Sequence, residues 1–295
     1  MFPIKIGTLI PAYHAADMLP ALNQMGFECY ELNLNEPVIE GDLAETAKKL
    51  TDLAEGRPIS SLGLYGNTLT DSALLGRIER AMDSAHLFGC DTICLFAGGL
   101  PGQPVPDCIP EFKRVFGELV RRAEDLNLSL AIENCTMGSS WNRAAMNIGY
   151  CPDAWKLMFD AVPSDRLGLE WEPCHALCQL MDPIPQLREW APKVKHVHGK
   201  DATVLWDVIR SHGLKSPEAI AWNRTPGFGD TDWNQVMTIL KMNGYRGTVD
   251  IEGYHDPAWC RDLEWSAQLR SLNYLKDCRG GREFIAPMAY NGYRA

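Results

Sequence analysis

The sequence predicts an α/β protein, a (β/α)8 TIM barrel formed as a single domain over residues 1–295. Three observations carry that expectation. Short β-rich runs alternate with longer amphipathic runs, the alternation occurs eight times, and no linker, repeat block or low-complexity segment interrupts it. Strands separated by helices imply a parallel sheet with right-handed crossovers, and eight such units close into a barrel. An open doubly wound sheet is the alternative, but the GxGxxG fingerprint that usually follows its first strand is absent.

KIGTLI (5–10) reads as the first strand and is followed by the helical AADMLPALNQMG. ECYELNL (28–34) precedes DLAETAKKLTDLAEG, and ISSLGLYG (59–66) precedes DSALLGRIERAMDSAHLFG, where Leu, Ile and Met recur at helical spacing. TICLFAG (92–98) leads to EFKRVFGELVRRAEDLN. LSLAIEN (128–134), LGLEWEP (167–173), VKHVHG (194–199) and GTVDIEG (247–253) repeat the rhythm, each followed by a helix candidate. A long loop after the seventh strand, about 201–230, exceeds the usual connection of about 2–6 residues and is expected to be a lid or an interface. Within it PGFGD reads as a tight turn, with Asp230 or Thr231 near the N-cap of the next helix. A short C-terminal extension follows the last helix.

With 46% hydrophobic and 22% charged residues the chain can bury a large core, and disorder is not indicated. The net charge of −10, with no Lys/Arg run, argues against nucleic acid as a partner. No window approaches the roughly 18 consecutive apolar residues of a membrane span. MFPIKIGTLIPAYH lacks the charged start and long apolar run of a signal peptide, so a cytoplasmic location is expected. The ten cysteines are scattered without a CxxC pair and read as reduced thiols, not as a disulfide frame or zinc knuckle.

Parallel strands buried on both faces normally read as continuous Val, Ile and Leu. The last four strands alternate instead. Leu128, Leu130 and Ile132 are out of phase with Ser129, Ala131 and Glu133; Leu167, Leu169 and Trp171 with Gly168, Glu170 and Glu172. Val197 is out of phase with His196 and His198, and Val249 and Ile251 with Thr248, Asp250 and Glu252. The outer face of a barrel packs against helices, so the apolar set faces outward and the polar set faces the lumen. Glu133, Glu172, His198 and Glu252 therefore point inward near the C-terminal strand ends, where barrel enzymes build their sites.

Three carboxylates in one low-dielectric space cannot all stay ionised without a compensating cation. One divalent metal is expected, Mn²⁺ first, with Mg²⁺, Co²⁺, Fe²⁺ or Zn²⁺ as alternatives; the donor set does not suggest a tetrahedral thiolate zinc site. Satisfied structural ion pairs are the plain alternative for any one of these residues. Two residues upstream, Glu170, His196 and Asp250 form a layer expected to orient the ligands. Lys200 shares the phase of His198 at the mouth, either binding a substrate oxygen or phosphate or pairing with Asp201 or a loop carboxylate.

LAIEN (130–134), LEWEPCH (169–175), HVHGKD (196–201), PGFGDTDW (226–233) and IEGYHDP (251–257) resemble the xylose-isomerase-like barrel enzymes. These are also described as sugar phosphate isomerases/epimerases or AP endonuclease family 2. The resemblance covers strands five to eight; the first 120 residues match mainly in rhythm. It implies one divalent metal held by Glu133, Glu172, His198 and Glu252, with Glu133 and Glu252 also acting as the two bases. It implies substrate binding by His175 and by Arg224. One departure is that the family's D-P-x-H stands here as Glu172-Pro173-Cys174-His175. Another is Ser139, where the ketose 3-epimerases carry a glutamate.

A metal chelating a carbonyl and its neighbouring hydroxyl stabilises the enediolate left by proton abstraction, and epimerisation needs two bases on opposite faces. The expected function is a metal-dependent sugar isomerase or epimerase acting on a small sugar or sugar derivative. The alternatives are a lyase that cleaves 3-keto-glycosides by β-elimination and an inactive sugar-binding relative. The type IV endonuclease reading is disfavoured by the acidic charge and by a ligand set poorer in histidine. A homo-oligomer is compatible with all of these.

Overall fold

Every β-rich run becomes a strand in the computed structural model, which describes residues 2–34 and 37–285. The strands are β1 (Lys5–Pro11), β2 (Tyr30–Asn33), β3 (Ile59–Leu64), β4 (Thr92–Leu95) and β5 (Ser129–Glu133). They continue with β6 (Leu167–Trp171), β7 (Val194–Gly199), β8 (Asp201–Val204), β9 (Ala221–Arg224) and β10 (Thr248–Ile251). β1 to β7 and β10 form a closed parallel barrel, with β10 seated between β7 and β1. The predicted (β/α)8 barrel is the observed fold.

The helices are α1 (Ala15–Met25), α2 (Leu43–Leu53), α3 (Ser72–Ser84), α4 (Val105–Asp125) and α5 (Pro152–Ala161). They continue with α6 (Pro173–Cys178), α7 (Pro183–Trp190), α8 (Trp206–His212), α9 (Trp233–Met242) and α10 (Glu264–Cys278). Aspartates start several of them: Asp42 accepts from the Ala44 and Glu45 amides, Asp71 from that of Leu74, and Asp182 from that of Ile184. Such caps satisfy backbone donors that have no partner inside the helix. α4 begins six residues before the expected Glu111, because Pro106 lies in its first turn, where a missing N–H loses nothing.

The core lies between barrel and helices. Ile6, Ile10, Leu130, Ile132, Leu167, Leu169, Val249 and Ile251 are buried there with Leu19, Phe112, Phe116, Trp155 and Leu272 from the helices. Each such side chain contributes about 1.5–3 kcal/mol by leaving water. The lumen takes the other phase, including Glu31, Ser61, Cys94, Glu170, His196 and Asp250, all buried. Gly7 makes that possible on β1: a Cβ there would lie 2.0 Å from Asp250 Oδ1 and 2.4 Å from the Cys29 carbonyl oxygen. All ten cysteines are free thiols.

Segment 201–230 is not an unstructured lid. β8 and β9 form an antiparallel hairpin around α8, beginning one residue after β7 ends. Asp201 fastens its base: Oδ1 accepts from the Thr231 amide and hydroxyl, and Oδ2 from the Trp233 indole at 3.1 Å. Asp230 and Thr231 are spent on the hairpin, Asp230 accepting from the Val204 amide at 2.8 Å, and the N-cap of α9 is Asp232.

Candidate active site

At the C-terminal end of the barrel lies a cleft of about 350 Å³, floored by Glu133, His175, His198, Lys200 and Glu252 and walled by Leu9, Asn33, Tyr65, Phe96, Cys135, Met137, Met146, Tyr254 and His255. Two asparagine side chains set the backbone of the first two carboxylates. Asn134 accepts from the Glu172 amide at 2.7 Å and donates to its carbonyl at 2.9 Å. Asn147 donates to the Glu133 carbonyl at 2.9 Å. Pro173 starts α6 directly after Glu172, and the first turn of that helix carries His175 back over the carboxylates.

The structure brings Glu133, Glu172, His198 and Glu252 together: each offers a donor atom, and all four atoms lie within 4.8 Å of one another. His198 Nδ1 is 3.3 Å from Glu172 Oε2 and 3.4 Å from Glu252 Oε2. His175 Nε2 is 3.1 Å from both Glu133 Oε1 and Glu172 Oε1, and is aligned for a hydrogen bond only with the first. Glu172 Oε1 and Glu252 Oε2 are buried with no hydrogen-bond partner. Donors opposite each other on a small divalent ion stand about 4.2 Å apart, since each bond is about 2.1 Å. Spacing, donor chemistry and the two unpartnered oxygens therefore fit a hard divalent cation. The extra methylene of Glu172 does not remove its carboxylate from the cluster.

Lys200 reaches the same cluster. Its buried ammonium is 3.0 Å from Glu252 Oε1 and 3.5 Å from Glu172 Oε1, so the expected pairing with Asp201 or a loop carboxylate is not the one formed. Burial opposes the ionisation of Glu252, but Lys200 and then His198 outweigh it and hold the carboxyl down at about 2. Burial dominates at Glu133, reinforced by Glu252 and only partly offset by His198, and pushes it up to about 8. Burial also raises Glu172 and lowers His175, leaving that imidazole neutral.

Beneath this floor, Glu170, His196 and Asp250 form the expected lower layer. His196 Nδ1 lies 2.9 Å from Glu170 Oε1, and Nε2 lies 2.7 Å from Asp250 Oδ2. Burial works against a charged ring there, but Glu31, Asp250 and Glu170 outweigh it and raise His196 to about 10. Barrel shear explains why Asp250 is level with His198 in register yet bonds to His196. Ser60 and Thr248 hydroxyls also donate to Asp250 Oδ2, at 2.7 and 2.8 Å.

Two members of this layer were not anticipated. Glu31 Oε2 lies 3.0 Å from His198 Nε2, and the Tyr65 hydroxyl lies 2.8 Å from Glu31 Oε1 and 2.9 Å from Glu170 Oε2. With Nε2 facing the lower carboxylates, His198 presents Nδ1 to the upper cluster. The signal for Glu31 was present, because ECYELNL alternates Cys29, Glu31 and Asn33 against Tyr30, Leu32 and Leu34.

Arg224 stands elsewhere: on β9 its Nε donates to Asp256 at 2.8 Å, and it does not line the cleft. Trp141, Trp206 and Trp222 are all more than a third exposed and none lines the cleft. Among the described residues no helix is long and apolar enough to cross a membrane.

Comparison with known proteins agrees with the fold. The uncharacterized protein YfiH of Bacillus subtilis is 26% identical over 260 residues, 75% of this chain and 79% of that one. An inosose dehydratase of Bacillus thuringiensis is 29% identical over 120 residues, so this chain spans 40% of that relative's length. Among solved structures, the 3-keto-D-glucoside 4-epimerase YcjR of E. coli superposes with a TM-score of 0.68 at 15% identity, over 93% of this chain and 100% of that one. Residues 19–277 match the family described as xylose isomerase-like TIM barrel, and with the closed eight-stranded barrel and its acidic cleft they make this chain a member of that family.

Proposed function

We propose that this protein is a divalent-metal-dependent isomerase or epimerase of a small keto-sugar, working by proton transfer beside a carbonyl. The observation that carries the reading is the convergence of Glu133, Glu172, His198 Nδ1 and Glu252 within 4.8 Å, with two buried carboxylate oxygens that accept no hydrogen bond from any described residue. Glu133, Glu172, His198 and Glu252 would hold a divalent cation, Mn²⁺ before Mg²⁺, Co²⁺, Fe²⁺ or Zn²⁺, which would supply positive charge beside the substrate carbonyl.

The chain's own groups move the protons. Glu252, paired with Lys200, is placed to remove the proton α to the carbonyl, and Glu133 to return one from the other face. Neutral His175 lies against Glu133 and lines the cleft, where its imidazole can bind a substrate oxygen. Lys200 keeps Glu252 ionised and in place, and Glu170, His196 and Asp250 fix the ring of His198 from below. Arg224 reaches substrate only if its two terminal nitrogens extend past Asp256, which already holds Nε.

β-Elimination is the second reading, favoured by the stretch shared with inosose dehydratases: the same abstraction by Glu252 could expel a group β to the carbonyl. Proton NMR in D₂O, with Mn²⁺ and a panel of ketoses and 3-keto-glycosides, separates the two. Deuterium uptake with an intact carbon skeleton supports isomerisation or epimerisation, whereas release of water or an aglycone supports elimination. No exchange and no release with any member would sink the enzymatic proposal.

A further inference from the structure

The opposite mouth of the barrel holds a larger cavity than the candidate active site. About 640 Å³ in volume, it lies at the N-terminal strand ends, where β1, β3, β4, β5, β7 and β10 begin, and His196 of the lower layer is part of its wall. That face of a barrel ordinarily serves stability. Here its lining includes three cationic side chains, Lys5, Lys195 and Arg246. None of them makes a hydrogen bond or salt bridge with a described residue. Among the described residues Asp91 is the one carboxylate in the lining, and it accepts from the Thr92 hydroxyl at 3.0 Å. Like charges gathered round one space repel each other, and an anion among them turns that cost into attraction.

The backbone is shaped to present one of these cations. Leu169 pairs with Val194 and Glu170 with His196, which leaves Lys195 as an extra residue on β7. β3 does the same against β2, where Tyr30 pairs with Ile59 and Glu31 with Ser61, leaving Ser60. An extra residue of this kind re-aims the side chain it carries, and both Lys195 and Ser60 line the cavity. Gly168 of β6 makes room for the lysine: a Cβ there would lie 2.6 Å from Lys195 Cγ and 2.1 Å from the Lys193 carbonyl oxygen. Burial holds the Lys195 ammonium below its ordinary value, with Asp165 opposing and Lys193 and Arg166 adding to the effect. In the same wall the Ser129 hydroxyl is a donor that no described residue engages.

We propose that this cavity binds a phosphate group, free or carried on a small molecule, with Lys195, Arg246 and Lys5 facing its oxygens and the Ser129 hydroxyl as a further donor. Ammonium and guanidinium groups make their stronger hydrogen bonds to oxyanions of this kind. Asp91 works against the bound charge, but the cations outnumber it. The volume leaves space beside the phosphate for an organic group that carries it. The site is separate from the carboxylate cluster, with the lower layer between the two, and does not depend on the reaction proposed there.

Calorimetry on the full chain tests it, with inorganic phosphate and glucose 6-phosphate as titrants, each with and without Mn²⁺. Binding is expected with a Kd below about 1 mM, and with the same Kd whether or not Mn²⁺ is present. Binding of both titrants supports the proposal with a phosphorylated molecule as ligand; binding of inorganic phosphate alone supports it with free phosphate as ligand. Lys195→Met and Arg246→Gln are each expected to weaken the binding roughly tenfold, the loss of one hydrogen bond to a charged group. The proposal is overturned by an affinity that neither variant changes, by binding that appears only with Mn²⁺, or by no binding of either titrant tighter than about 1 mM. Arg246 is exposed in the turn before β10, so its variant keeps the comparison available should the lysine variant fail to fold.

Discussion

Two layers of carboxyl and imidazole groups lie one above the other in the same barrel, and they are finished differently. In the lower layer Glu31, Glu170, His196 and Asp250 have partners for every side-chain oxygen and nitrogen, drawn from one another and from Tyr65, Ser60, Thr248, Cys29 and the Nε2 of His198. In the upper layer, built from the same residue types, Glu172 and Glu252 each keep a buried oxygen that accepts no hydrogen bond from any described residue. A buried polar network that is closed holds its geometry, and one that is left open is poised for a ligand. On the proposed reading the lower layer would serve as scaffold and the upper layer as site, although residue composition alone does not tell them apart.

The largest expected effect belongs to the upper layer. Glu252→Gln keeps the shape but removes the base, and turnover should fall roughly 10²–10⁴-fold in initial-rate assays, with a lower urea midpoint because the buried Lys200 ammonium is left with Glu172 at 3.5 Å. Normal turnover would remove the distinction from the upper side. His196→Leu attacks the lower layer: it strands Glu170 and Asp250 without their shared cation and should lower the unfolding free energy by about 3–5 kcal/mol in urea titrations. Its affinity for Mn²⁺ should also weaken, by roughly 10–100-fold.

Metal stoichiometry sharpens the comparison further. Calorimetry should find one Mn²⁺ per chain, and at a free concentration of about 100 times Kd the ion should add about 2.7 kcal/mol of stability that a chelator removes. Two equivalents would mean that Glu31, Glu170, His196 and His198, whose donor atoms also lie within 4.8 Å, form a second site instead of a closed scaffold. Tyr65→Phe should cost about 1–2 kcal/mol, because Glu31 and Glu170 lose a common donor. Trp222→Ala, outside both layers and 46% exposed, should change stability by less than about 0.5 kcal/mol and leave turnover as it was.

Much of this organisation is legible in the chain. Alternation in four strands places Glu133, Glu172, His198 and Glu252 on one side, and closure of the ring makes that side the lumen. Glu31 obeys the same alternation but sits in a strand whose other inward residues, Cys29 and Asn33, carry no charge, so the pattern is quieter there. Tyr65 follows the end of β3 in phase with Ser61 and Gly63, but as an uncharged aromatic ring it gives no polar signal of its own there. The hairpin of β8 and β9 is built from strands of four residues, too short for a period to stand out. Which carboxylate meets which imidazole depends on barrel shear, and the alternation within one strand carries no information about its stagger against the next.

The pairing of β1 with β10 runs from Lys5 opposite Thr248 to Thr8 opposite Ile251, so the ring is shut by segments nearly at opposite ends of the described chain. During synthesis the circle cannot be completed before Ile251 has been made. A cation shared by all four proposed donors could therefore be enclosed only after the last strand docks, which would tie loading to the final stage of maturation.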